Sequence, residues 1–445
     1  MASAPELGSR VDVIAGVRLA VRDRFDPFGD QPVDVHVGAG RIADICPAGA
    51  LPHRGTVLDG AGTWLAAGLW DHHVHTVQWA LDAQRTSVEA ARSAAEALAV
   101  IREVAPLADG RRIGTGYRDA LWPDAPALDT IDAVTGEIPT YLVNADAHSM
   151  WLNSAALRRE GFPASPSGML RENDAFEVSR RLNDVDPAVA DAMVRDAAAA
   201  AAARGVVGVV DLDMGWNDEA WRRRLAGGFD LWRVEFAVYP HHLDRALAEG
   251  LSTGDPLRDA PAGLVQVGPL KVIADGSLGT RTAACSQPYA DDPSNLGTLN
   301  LMPDELRELM TAAAGGGLAC AIHAIGDRAN TVVLDAFAAT GAWGTVEHAQ
   351  LVASADLPRF ARLGVGASVQ PVHMLDDRDM TDVLWSGQTA RAYPLRALQD
   401  AGATLLFGSD APVAPLDPWA AIAAAVWRTR DGRDPWEPDQ ALDAG

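Results

Sequence analysis

Eight short apolar runs, most of them carrying histidine, aspartate or lysine towards their ends, constrain this chain more than any other feature. They are "WLAAGLWDHHVH", "GVVGVVDLD", "LWRVEFAVY", "LVQVGPLKVIADG", "GLACAIHAIGD", "GTVEHAQLV", "GVGASVQPVH" and "ATLLFGSDAPV". Ala/Leu/Arg/Glu stretches with helical spacing, such as "TSVEAARSAAEALAVIREVAPL" and "PAVADAMVRDAAAAAAARG", separate them. Apolar runs alternating with helices argue for a parallel sheet covered by helices, the α/β class. Eight such runs, with their polar residues gathered at one end, predict a (β/α)8 TIM-type barrel whose site lies at the C-terminal ends of the strands.

The rest of the chain divides around that barrel. Residues 1–63 read as short alternating segments with glycine turns, a small N-terminal β module. The barrel is expected over 64–430, with an insertion at about 80–180 that is too long for a βα loop and reads as a lid subdomain beside the barrel mouth. Residues 431–445, "DGRDPWEPDQALDAG", read as a polar tail.

Composition removes several function classes. Lys+Arg 37 against Asp+Glu 60 gives a formal charge of -23, which repels a phosphate backbone, so no nucleic-acid partner is expected. No apolar run is long enough to span a membrane and "MASAPELGSRVDVIAG" has no signal-peptide core, so the expectation is a soluble cytoplasmic protein. Cys46, Cys285 and Cys320 are odd in number and far apart, which suits buried thiols. Any metal must then rest mainly on histidine and carboxylate.

In "DHHVH", His73 and His75 are two residues apart on a strand and share a face, so both imidazoles can reach one ion; His72 points the other way. Asp71 shares the face of His73 and is expected to buttress it. Later runs bring Lys271, His323, His348 and Asp410 to equivalent strand ends. Imidazole and carboxylate without thiolate suit zinc, manganese, iron or nickel. Lys271 sits inside an apolar run, where a lone ammonium is costly to bury. Its plain alternative is an ion pair with Asp275, two residues on.

Taken in order, "GLWDHHVH", "LKVIADGSLGTRTA", "AIHAIGDRAN", "VEHAQL", "SVQPVH" and "FGSDAPV", preceded by "ADAHSMWLNSAAL", resemble the amidohydrolase superfamily. The similarity is narrower still to its YtcJ-like or amidohydrolase-3 group, which contains N-substituted formamide deformylase. The resemblance implies that His73, His75 and Asp410 hold one divalent metal, zinc by expectation. It makes His323 and His348 ligands of a second ion or contacts to the substrate carbonyl. Lys271 stands where binuclear members carry a carbamylated lysine. The implied reaction is hydrolysis of an amide, N-acyl or N-formyl C–N bond of a small molecule. Water activated by metal attacks, Asp410 acts as general base, and His323 or His348 meets the carbonyl oxygen. His148, Asn153, Asp275, Arg281, Gln370 and His373 are candidates for substrate contact, and Asp327 and Glu347 for carboxylates that orient imidazoles.

Family members usually continue past the eighth strand into a stretch resembling "GKLADLVVLD" that returns to the β module. The chain stops at "QALDAG" instead, so the module is expected to lack its C-terminal half and expose an edge. Two other readings stay open: a mononuclear aminohydrolase that deaminates a ring, and a truncated, catalytically silent homologue kept for binding. Ring deaminases of the superfamily tend to place a carboxylate three residues after the fifth-run histidine, where this chain has Gly326. A homodimer is also open.

Overall fold

The computed structural model describes residues 10–20, 27–83, 85–107, 109–258, 260 and 263–443. Its contacts divide the chain into two units, one of residues 1–68 with 443–445 and one of 69–442.

In the first unit, strands Val13–Leu19, Val33–Gly38 and Arg41–Pro47 form an antiparallel meander, and Val57–Asp59 and Trp64–Leu65 run parallel to the first of them. Alternation puts Val17, Val33 and Val35 into a small core with Ile14, Leu19, Phe28, Ile45 and Leu65. Among the described residues Arg41–Pro47 pairs with Val33–Gly38 alone, and its Ile42 is 65% exposed. Asp34 ties the unit together: its buried carboxylate accepts the amides of Gly16 and Gly49, each at 2.8 Å, and faces His53 Nε2 at 2.8 Å. Burial alone raises its pKa, but those three donors hold it below the usual carboxylate value. Asp34→Ala is therefore expected to cost this unit about 1–3 kcal/mol at neutral pH. A depressed folded pKa gives stability that is present above the unfolded value, near 4, and is lost as pH falls below it. A thermal series from pH 7 to 3 should show the wild-type advantage over Asp34→Ala shrinking only at the acid end; an advantage that grows with acid contradicts this.

The second unit contains eight parallel strands, numbered here as barrel strands: β1 (Leu69–Val74), β2 (Val206–Asp211), β3 (Arg233–Val238), β4 (Val265–Ile273), β5 (Cys320–Ala324), β6 (Gly344–His348), β7 (Gly366–Val369) and β8 (Leu405–Phe407). Each pairs with the next in sequence. Closure comes just beyond β8, where Asp410 donates its amide to His73 O at 2.7 Å, His75 donates to Ala411 O at 3.0 Å, and Val74 bridges Ala411. Gly408 makes the closure feasible, because a Cβ there would lie 2.6 Å from His73 Cβ. The sheet is thus the (β/α)8 barrel, with Val209, Phe236, Val267, Leu270, Ile322, Val346 and Ala367 in its main core.

Between β1 and β2 lies the insertion. Strands Thr86–Ser87, Arg112–Tyr117, Thr140–Asn144, Ser149–Leu152 and Met169–Arg171 neighbour one another in sequence order, the first three parallel and the rest antiparallel. The polar stretch from residue 431 is mostly exposed but anchored at three points: Trp436 and Gln440 are buried, with Arg428 donating through Nε to Trp436 O at 2.8 Å, and Leu442 donates to Ala425 O at 3.0 Å. Among the described residues no helix is long and apolar enough to cross a membrane.

Candidate active site

The end of β1 sets the site. His73 and Asp71 are buried on the inner face, while His72 turns out and lies on Trp70, with ring centroids 6.1 Å apart. Asp71 accepts the amides of His73 at 3.0 Å and Ser409 at 2.9 Å, so it locks the β1–β8 junction. Asp410, at φ +57, presents Oδ1 3.2 Å from His73 Nε2 and 3.5 Å from His75 Nε2. A non-glycine residue in the left-handed region is held there only by strong surrounding constraint, which the bonds between 410–411 and 73–75 supply. The three donor atoms lie within 4.8 Å of one another, a spacing one metal ion can span.

Glu347 fixes which nitrogen His73 offers. Its Oε2 sits 2.7 Å from His73 Nδ1, which donates to it, and Nε2 is the nitrogen turned towards Asp410. Glu347 reaches across from β6 to β1 and serves His73, not its chain neighbour His348. Burial pushes the Glu347 carboxyl up, but the bond to His73 and the charges of His73 and Lys271 carry it below its ordinary value. Asp410 is likewise held well below the carboxylate range; burial opposes this, and His73 and His75 prevail. His323 and His348 are pushed far below the usual imidazole value, first by burial and then by neighbouring cations, which keeps them neutral.

Lys271 is 2% exposed and its ammonium is pushed down by burial. Its Nζ lies 3.2 Å from His73 Nε2, inside the donor cluster, and it makes no pair with Asp275. His323 Nε2 lies 3.3 Å from Gly276 O, to which it donates, and its ring is 4.5 Å from that of His348.

Of the six residues expected to contact substrate, two border the space around these groups. His148 comes from the insertion and pairs through Nδ1 with Glu172 at 2.9 Å. Burial lowers its pKa, but the Glu172 charge wins and raises it to about 9. His373 follows β7, with Nε2 3.9 Å from Asp410 Oδ2. The other four lie outside that lining, and backbone groups or a neighbouring side chain take their polar atoms. Asn153 is fully buried, caps helix Ser154–Glu160 and binds Thr135, Gly136 and Ile138. Asp275 accepts the amides of Ala284 at 2.9 Å, Ile325 at 3.0 Å and Gly326 at 2.9 Å. Burial still raises its pKa to about 7. Arg281 pairs with Asp291 and donates to Ala120 O. Gln370 places its amide 3.4 Å from His73 Nδ1, behind the ring. Asp327 does not orient an imidazole either: it takes the Ser286 amide at 2.8 Å and the Ser286 hydroxyl.

A cavity of about 520 Å³ opens from His73, His75, Lys271, His323, His348 and Asp410. Phe176, Val185, Met214, Trp216 and Tyr239 give it an apolar wall, and Asp213 a carboxylate. These wall residues follow no motif, and only the closing "DLD" of the second run hinted at Asp213. Asp211 and Asp213 accept Thr76 and Val77 at the turn directly after His75, which fixes where that imidazole points.

The model of the Amidohydrolase family matches residues 56–443, most of the chain and every residue of this cluster. The chain belongs to the amidohydrolase family. This amidohydrolase is 28% identical to the Protein LONG AFTER FAR-RED 3 of Arabidopsis thaliana, over 94% of its own length and 78% of that protein's. It is 28% identical to the putative amidohydrolase YtcJ of Bacillus subtilis (strain 168), over 71% of itself and 64% of that protein. It is also 26% identical to the N-substituted formamide deformylase of Arthrobacter pascens, over 92% and 83%. Among solved structures it resembles an uncharacterized metal-dependent hydrolase from Pyrococcus horikoshii OT3, at TM-score 0.78 and 25% identity, covering 97% of this chain and 89% of that one. The amidohydrolase is thus a hydrolase of carbon–nitrogen bonds with small-molecule substrates. Its converging imidazoles and carboxylate, with no thiolate among them, fit a divalent metal.

Proposed function

We propose that this amidohydrolase cleaves the C–N bond of a small N-acyl or N-formyl amine, or a related amide, with zinc at His73, His75 and Asp410. One observation carries the reading: the Asp410 carboxylate stands within 3.5 Å of both imidazoles on the floor of a cavity large enough for a small amide. When bound, a divalent metal lowers the pKa of a water towards about 7, which makes a nucleophile available at neutral pH. Asp410 accepts the proton of the attacking water and passes it to the leaving nitrogen. Glu347 holds the His73 ring from behind throughout. His323 and His348 border the same cavity, where charge gathers on the carbonyl oxygen. The apolar wall of Phe176, Met214 and Trp216 takes the substituent. Lys271 as its carbamate would present an oxygen where a costly buried cation now stands.

Deamination is the weaker reading. Gly326 occupies the third position after His323, and Asp327 is spent on Ser286. A screen of N-formyl and N-acetyl amines against aminated heterocycles should give turnover of the amides alone. His73→Ala is expected to lose both turnover and bound zinc. Ammonia release from the heterocycles without amide cleavage, or full activity in His73→Ala, would overturn the proposal.

A further inference from the structure

The cavity that opens from His73 and Asp410 is also bordered by two helices, Asn173–Leu182 of the insertion and Asn217–Ala226 after β2. The first gives its direction. Phe176 meets His148 edge-on, with ring centroids 5.1 Å apart, and Arg180 also borders the cavity. Four residues on, Arg180 stands on the same helix face, about 6 Å further along the axis. Arg180 is exposed and, among the described residues, makes no ion pair or hydrogen bond. Its charge reaches His241, whose imidazole is pushed below its ordinary value first by burial and then by Arg180.

The second helix adds positive charge that is short of partners. Arg223 and Arg224 both border the cavity, and among the described residues they share one carboxylate, Asp191, at 2.6 and 3.0 Å. Arg224 is 4% exposed. Only its Nε is hydrogen-bonded among the described residues, and its Nη1 is shut off from solvent with no acceptor. Trp216 Nε1, on the same border, is likewise buried and unpaired. Guanidinium and indole nitrogens can only donate, so the partner they lack is an acceptor, and beside unmatched cations a negative one. The carboxylates on the border do not fill that place. Asp410 faces the imidazoles, Asp213 accepts from Thr76 and Val77, Asp146 accepts from Ser277, and Asp184 is exposed and makes no ion pair among the described residues. Arg181 is a different case, since Glu160 and Glu177 already pair with it.

We propose that the part of the cavity bordered by Arg180 and Arg224 binds a carboxylate on the substrate, so that the favoured compounds are N-acyl or N-formyl amines whose substituent ends in an acid. This rests on the amide reading given above and narrows it. The apolar wall of Phe176, Met214 and Trp216 then holds the carbon stem, and the guanidinium fork meets the two carboxylate oxygens. The four carboxylates on the same border, Asp146, Asp184, Asp213 and Asp410, count against a doubly charged phosphate in that place.

The test compares two probes on the full-length, zinc-loaded protein, N-formyl-aminohexanoate and its neutral counterpart N-formyl-aminohexanol. In the wild type kcat/KM should favour the acid by on the order of 10- to 100-fold, the effect of one or two charge-assisted hydrogen bonds. Arg180→Gln, at an exposed position, should bring that ratio close to one, through KM and not kcat. Arg224→Lys keeps the buried charge but loses the fork, and should lower the ratio severalfold with an unchanged circular dichroism spectrum. Added salt should shrink the wild-type preference. No preference for the acid in the wild type overturns the inference. So does a preference that survives in both variants, which would put the carboxylate on the metal or at Lys271. Calorimetric binding of the two probes separates this from the reaction itself. Arg180-dependent binding of the acid without amide cleavage leaves the carboxylate site standing and sinks the proposed reaction; equal cleavage of acid and alcohol does the reverse.

Discussion

Asp410→Asn is expected to lower turnover of the responsive amide by on the order of 10³-fold, the middle of the range for removing a general base. Asparagine keeps the shape and one oxygen of the side chain but cannot take a proton at neutral pH. The position is exacting for two reasons. Asp410 is held in the left-handed region by its amide bond to His73 O at 2.7 Å. Its carboxyl is also kept ionised against burial by His73 and His75, so the wild-type group stands ready as a base. Steady-state kinetics with zinc content measured in parallel separates the two roles. A fall in kcat at retained zinc marks the proton-transfer role, and a fall that tracks zinc loss marks the ligand role. Activity within tenfold of wild type would remove Asp410 from the chemistry.

The barrel was legible because its signal is repeated eight times, and chance does not gather polar residues towards the same end of most runs. His73 and His75 were legible for a related reason: the two-residue period of a strand fixes their face without any tertiary knowledge. What a sequence cannot expose is the partner of a side chain across the barrel. Glu347 stands beside His348 in the chain, yet it bonds His73, 274 positions away. Only strand order and register bring them together. Asn153, Asp275 and Arg281 were drawn towards the substrate by the company they keep in their motifs, whereas unpaired backbone groups in the surrounding turns have the stronger claim on them. The cavity wall was invisible because Phe176, Met214 and Trp216 come from a helix and a loop with no chemical motif.

Asp275 carries the second large effect, and it is an effect on stability. Its carboxylate is fully buried and accepts three amides, from Ala284 on the loop after β4 and from Ile325 and Gly326 at the end of β5. Those amides have no water to turn to, so Asp275→Ala is expected to cost roughly 3–5 kcal/mol, since each stranded donor costs about 1–3 kcal/mol and relaxation recovers part of it. Asp275→Asn recovers little, because Oδ1 serves Ile325 while Oδ2 serves Ala284 and Gly326, and an amide nitrogen at either position faces another donor. Denaturant unfolding should place both variants well below wild type. Hydrogen exchange should show the loss of protection concentrated at residues 284, 325 and 326. Those amides flank His323, so loosening them also frees the imidazole that donates to Gly276. A variant within 0.5 kcal/mol of wild type, on the scale of an ordinary surface substitution of about that size, would return Asp275 to the list of groups available for substrate.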